Sequence, residues 1–278
     1  MSSARNNRRR RKNRGRFSFL FKVLAIIAIL AALTMGATVF FQLEQVVVSG
    51  NSRYTAQEVE DASGLEAGQN LFHLNKYQIK QDILQKLPYV EGVNIVRNLP
   101  STIVITVWEW DAVAKVEPTE LDEEELPAEG EAEEGEEAAP PPRAADESWL
   151  ISVKGKLLET AGEESSAIRV TGLSALSPKA GTQLAVPQSQ QEKLTALLEI
   201  LAVLEEREST HLVTEIDVSA LTQVRLRYDQ RFWVKLPMVC DFAYKLAALE
   251  TVVAQREPYE KGTMDLTRED YTVIFSPE

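Results

Sequence analysis

The sequence predicts an α+β protein with one N-terminal transmembrane helix, a strand-helix-helix-strand-strand unit, and then a second mixed α/β domain with a mainly antiparallel sheet. Three observations carry this. Val23 to Leu43 is an unbroken apolar run without a charge, behind a tail with eight basic side chains between Arg5 and Arg16 and no acid. From Gln45 to Trp108 the apolar period changes from that of a strand to that of a helix and back. Beyond Trp149, paired alternating runs separated by turn residues are interleaved with two amphipathic helices.

A helix rises about 1.5 Å per residue, so the uncharged run matches a hydrocarbon core of roughly 30 Å. A cleaved secretory signal would have an apolar core of only about 7–15 residues ending in small residues. Here Val39, Phe40 and Phe41 close the run. A helix buried in a soluble core would ordinarily keep a polar face over such a length. Basic residues beside a first span hold that end in the cytoplasm. Residues 1–22 are therefore read as a cytoplasmic tail, 23–43 as the span and everything after as extracytoplasmic, in a single-pass protein of the cell membrane. Anionic lipid and topology account for the basic tail without nucleic acid. The single cysteine, Cys240, offers no internal disulfide and lies in the apolar context Pro237-Met238-Val239-Cys240, which suits a small core residue.

The first unit opens with a strand at Gln45-Val46-Val47-Val48-Ser49, stopped by Gly50-Asn51. Thr55-Ala56-Gln57-Glu58 fits a capping box, and Ser63-Gly64 ends the helix it starts. Asn75 caps a second helix with Ile79, Ile83, Leu84 and Leu87 as its apolar stripe, stopped by Pro88. Val90 to Val96 and Ile103 to Trp108 then form a hairpin, with Ile103, Ile105 and Val107 on the face opposite Thr102, Val104 and Thr106.

That order after a single span, with Val48-x-Gly50-Asn51 at its start and Val96-Arg97-x-x-Pro100-x-x-Ile103-x-Ile105-x-Val107-x-Glu109 at its end, resembles the POTRA domain of the FtsQ/DivIB cell-division proteins. The sequence departs from the family after Glu109, where Trp110-Asp111-Ala112 replaces a proline-containing continuation. The resemblance implies a POTRA domain at 44–110 and an FtsQ/DivIB-type β domain at 111–278.

Residues 117–147 carry fourteen acids against Arg143 alone, with almost no large apolar residue. Such a composition cannot offset the entropy of ordering and is expected to be a disordered acidic insert. The pattern resumes with Trp149 to Val153 and Gly155 to Leu158, similar to the hairpin opening the family's second domain, with Ser152 where the family prefers aspartate. Ile168 to Leu173 and Glu215-Ile216-Asp217-Val218-Ser219 match further family strands. Helices are expected over about 191–207 and 242–254, the second carrying the family's Lys245-Leu246-x-x-Leu249. A hairpin turns at Asp229-Gln230-Arg231, Met264 to Thr267 follows, and Tyr271 to Phe275 is the last strand.

No GxSxG elbow, GxxxxGK[ST] phosphate loop, HExxH motif or EF-hand loop occurs. His73 and His211 stand far apart, and Cys240 has no neighbouring base in sequence. Glu215 and Asp217 fall on one face of a strand, where strand-end hydrogen bonding suits them better than acid-base work. The expectation is a protein that is not an enzyme, with no cofactor, no metal, no small-molecule substrate and no nucleic-acid partner. Edge strands offer unpaired N–H and C=O groups to another chain's extended segment. The resemblance implies such an edge at the last strand, engaging FtsB/DivIC-like and FtsL-like single-span partners through Arg268, Tyr271, Thr272, Val273, Ile274 and Phe275. Period 2 places Tyr271, Val273 and Phe275 on one face, which fits burial as well as contact with a partner. The implied role is a scaffold of the division machinery linking these partners to septal peptidoglycan synthesis. The competing class is a membrane-anchored cell-wall enzyme or sensor.

Overall fold

The computed structural model describes residues 14–119, 144–162, 165–268 and 272–278, so most of the expected acidic insert lies outside the described residues. Helix α1 (Arg14–Phe40) begins inside the basic tail. Its segment Phe19–Phe40 is long and apolar enough to cross a membrane, and none of it is buried against the rest of the chain. The helix stops at Phe40 rather than Leu43, because Phe41 and Leu43 turn to bond a loop of the next unit.

That unit is β1 (Gln45–Ser49), α2 (Ala56–Ser63), α3 (Lys76–Lys86), β2 (Val90–Asn98) and β3 (Thr102–Glu109), the POTRA-like β-α-α-β-β order. Its sheet runs β1-β3-β2, with β1 parallel and β2 antiparallel to the central β3. The capping box at α2 is complete: Thr55 N–H donates to Glu58 Oε2 at 2.7 Å and Glu58 N–H to Thr55 Oγ1 at 3.2 Å. Asn75 Oδ1 accepts from Tyr77 and Gln78 at the start of α3. The helices press Val59, Ile79 and Ile83 onto Ile103, Ile105 and Val107, the alternating face of β3, and all six are buried.

Glu109, at the end of β3, anchors the β1–α2 connection. Its carboxylate accepts from Ser52 N–H at 2.9 Å and Oγ at 2.6 Å, from Arg53 N–H at 2.8 Å and from Tyr54 N–H at 3.3 Å. Partial burial would raise its pKa, but these donors favour the ionised form and hold it below the ordinary glutamate value.

The second sheet contains β4 (Ala114–Val116), β5 (Trp149–Ile151), β6 (Leu157–Thr160), β7 (Ile168–Thr171), β8 (Val213–Asp217), β9 (Gln223–Tyr228), β10 (Phe232–Pro237), β11 (Gly262–Asp265) and β12 (Ile274–Pro277). Among the described residues they run β12-β11-β10-β9-β8-β7-β4-β5-β6. The β10–β11, β7–β8 and β4–β7 pairs are parallel and the other five antiparallel, so the sheet is mainly antiparallel. Strand β4 is not apparent in the sequence pattern, because Ala-Lys-Val is too short to show a period; it nevertheless joins β5 to β7. Helix α4 (Gln191–Glu206) buries Leu194, Leu197, Leu201 and Leu204 against this sheet. Helix α5 (Phe242–Val253) adds Phe242, Leu246 and Leu249. At the β9–β10 turn Asp229 and Gln230 both take left-handed, positive φ, the backbone of a tight primed hairpin turn.

The two sheets meet at a polar and aromatic joint. Arg53 Nη2 lies 2.7 Å from Glu159 Oε1, which also accepts from the Tyr89 hydroxyl at 2.7 Å. The Arg53 guanidinium covers the Tyr89 ring at 3.7 Å, and Lys156 Nζ donates to Val90 O at 3.0 Å. Burial, reinforced by the hydrogen bond to Glu159, pushes the Tyr89 phenol well above its ordinary pKa, so it remains a donor.

Candidate functional site

The implied partner edge lies where the nine-stranded sheet ends. Strand β11 is held by β10 on one side and by β12 on the other, with Gly262 opposite Pro277, Met264 opposite Phe275 and Asp265 opposite Ile274. Beyond β12, nothing among the described residues continues the ladder. Gly262 makes the pairing possible: a Cβ there would stand 2.2 Å from the Ser276 carbonyl oxygen and 2.9 Å from Pro277 Cα.

Backbone direction follows from the same contacts. The Ser276 carbonyl points at β11, and Glu278 N–H donates to Lys261 O at 3.1 Å, also inward. In an antiparallel pair consecutive residues direct their N–H and C=O to opposite sides. Phe275 therefore turns its N–H and C=O outward, and Pro277 adds an outward C=O. Proline at the last position limits how far an added strand can pair, as is common at managed sheet edges.

Side chains alternate differently. Val273 and Phe275 pack against the main core, the Phe275 ring edge-on to Phe232 at 6.0 Å and under the Arg256 guanidinium at 4.5 Å. Ile274 and Ser276 are exposed. Of the two uses that period 2 left open for Val273 and Phe275, the packing is that of core residues, and the edge is offered by backbone.

The strand starts later than the expected Tyr271 to Phe275, and the reason is local. Asp265 accepts from Thr267 N–H at 2.9 Å and Oγ1 at 2.7 Å, which turns the chain and ends β11 there. The last rung is Asp265–Ile274, so Thr272 and Val273 precede the ladder, and Ser276 and Pro277 extend it. The Thr267 hydroxyl bond is the main cause of a lowered Asp265 pKa. Arg268 is exposed and outside the strand, but its carbonyl accepts from Lys245 Nζ at 2.6 Å. Tyr271 lies outside the described residues.

Sequence reasoning missed Gly262, Ser276, Pro277 and the positioning by Lys245. Pro277 was a readable signal of a terminal edge. Lys245 was not, since a buried lysine reaching a carbonyl 23 positions away leaves no local pattern.

Other candidates resolve into structural roles. Glu215 pairs with Arg169 at 2.8 Å, and Asp217 accepts from Ser219 N–H at 2.9 Å and from its hydroxyl. Ser152 is fully buried and its Oγ accepts from Lys156 N–H at 3.1 Å, closing the β5–β6 turn. Burial pushes the Cys240 thiol up to about 11, which keeps it protonated near neutral pH and a poor nucleophile. Among the described residues no cluster of His, Cys, Asp and Glu is arranged to hold a metal ion.

Residues 41–110 match the family model described as POTRA domain, FtsQ-type. The chain is 24% identical over 231 residues to a cell division protein DivIB of Clostridium acetobutylicum, covering 82% of this chain and 80% of that one. It is 23% identical to a DivIB of Clostridium botulinum across 96% of this chain and 93% of the relative. Cell division protein FtsQ of Corynebacterium glutamicum shares 31% identity over 91 residues, 31% of this chain and 40% of that protein. Fold and matches together define a POTRA-bearing α+β protein with an N-terminal apolar helix. Residues 41–110 are an FtsQ-type POTRA domain, and over most of its length the chain is similar to proteins named cell division protein DivIB.

Proposed function

We propose that the chain is a non-enzymatic, single-pass scaffold of the division machinery. Its tail, 1–22, is cytoplasmic; 23–43 crosses the membrane; the POTRA domain, 44–110, and the β domain, 111–278, are extracytoplasmic. The scaffold binds FtsB/DivIC-like and FtsL-like single-span proteins and couples them to septal peptidoglycan synthesis. The observation that carries this reading is the open outer side of β12, with outward Phe275 N–H and C=O on a strand held by β11 and by the packing of Phe275 against Phe232. An extended segment of a partner can pair there without rearranging the core.

The experiment is capture of membrane proteins by the tagged full chain, compared with Ile274→Lys. Ile274 is an exposed side chain on the edge strand, so the charge meets an added strand while the core is left alone. The unmodified chain should retain single-span coiled-coil division proteins. The variant should hold them about tenfold more weakly, equivalent to about 1.4 kcal/mol. Recovery of no such protein, or equal retention by both chains, would contradict the reading.

A further inference from the structure

The chain does not leave α1 on a free tether. Phe41 O accepts from Leu71 N–H at 2.9 Å, Leu43 N–H donates to Gln69 O at 2.8 Å, and Leu43 O accepts from Gly68 N–H at 2.8 Å. Asn70 Nδ2 reaches back to Thr38 O at 3.2 Å, a carbonyl in the last turn where a helix runs out of intrahelical donors, and to Ala37 O at 3.4 Å, which also accepts from Phe41 N–H at 3.1 Å. On the other side, Glu44 and Gln45 N–H both donate to Ser101 O, at 2.9 and 3.3 Å. Arg97 Nη2 donates to Leu74 O at 2.7 Å and ties the 68–75 loop to the β2–β3 hairpin. The loop and the hairpin turn therefore both border the end of the apolar helix.

Each presents one large apolar side chain to the outside, Phe72 at 55% exposed and Leu99 at 52%. The Phe72 ring stands edge-on to Phe41 at 5.0 Å, and Phe41 edge-on to Phe40 at 5.1 Å. Aromatic surface thus runs without a break from the helix onto the POTRA unit. Aromatic rings at the end of a span favour the layer between hydrocarbon and water.

We infer that this base of the POTRA unit is a lipid-binding surface, with Phe72 and Leu99 set into the headgroup layer of the bilayer that α1 crosses. The inference rests on the reading of α1 as a membrane span. Three footings, helix, loop and turn, then fix the orientation of the unit on the membrane.

The test uses the full chain carrying Cys240→Ala, reconstituted in phosphatidylethanolamine/phosphatidylglycerol nanodiscs and spin-labelled at Phe72→Cys, Leu99→Cys, Leu30→Cys or Leu221→Cys. Power saturation compares access to oxygen with access to a water-soluble nickel chelate. Labels at 72 and 99 should favour oxygen several-fold more than the label at 221, and less than the label at 30. A water-like value at 72 or 99 with residue 30 in lipid overturns the proposal while leaving the span intact. A water-like value at 30 overturns the span, and the proposal with it. Leu99→Cys removes no ring contact, so it provides an arm independent of the Phe41–Phe72 stacking.

Discussion

Replacing Gly50 by alanine is expected to destabilise the POTRA unit by about 2–4 kcal/mol. Gly50 holds a left-handed φ. That backbone costs an alanine about 1–2 kcal/mol. The added Cβ would also stand 2.2 Å from the Val107 carbonyl oxygen. Val107 cannot withdraw, because β3 is the central strand and is bonded on both sides. Nor can the turn relax, since Asn51 Nδ2 holds Tyr54 O at 2.8 Å and Glu109 collects the N–H groups of Ser52, Arg53 and Tyr54. Gly64→Ala isolates the backbone contribution, because Gly64 is also left-handed while an added Cβ there meets open space. It should therefore lose the conformational cost alone and none of the steric one. Denaturant unfolding followed by Trp108 and Trp110 fluorescence measures both. Equal losses in the two variants would show that the close approach to β3 contributes nothing.

The second large effect is expected at Gly262→Val, which should reduce affinity for the extended partner segment by more than roughly 30-fold, or about 2 kcal/mol. A branched side chain cannot occupy the space held by the Ser276 carbonyl and Pro277 Cα, so β12 must leave β11. The remainder of the sheet should stay folded, because β11 keeps its pairing to β10 and the α4 and α5 leucines keep their burial. Titration of the partner segment, with thermal melting as the check on folding, reads the two effects separately. Undiminished affinity in a folded variant would place the partner elsewhere.

Legibility in the sequence follows the range of the interaction. The Thr55–Glu58 box, the Asn75 cap, the alternation of β3 and the leucine stripe of α4 are local and could be read directly. Gly50 was legible as a turn glycine, but its reason, the proximity of Val107, belongs to a strand far along the chain. The Arg53–Glu159 and Tyr89–Glu159 contacts span 106 and 70 positions and leave no local pattern. The parallel pairing of β10 with β11 was hidden in the same way, since a crossover through α5 separates the strands. At the candidate edge the residue types were readable and the register was not. Asp265 terminates β11 by side-chain bonding and so shifts the edge strand toward the chain end.

The most direct measurement is amide hydrogen exchange over 272–278 in the full chain, with and without the extracytoplasmic segment of a single-span division partner. The account predicts that the outward Phe275 N–H exchanges readily alone and becomes strongly protected in the complex, while the Ile274 and Ser276 amides, already directed at β11, change little. A complex that protects residues elsewhere and leaves Phe275 exchanging as before would contradict it.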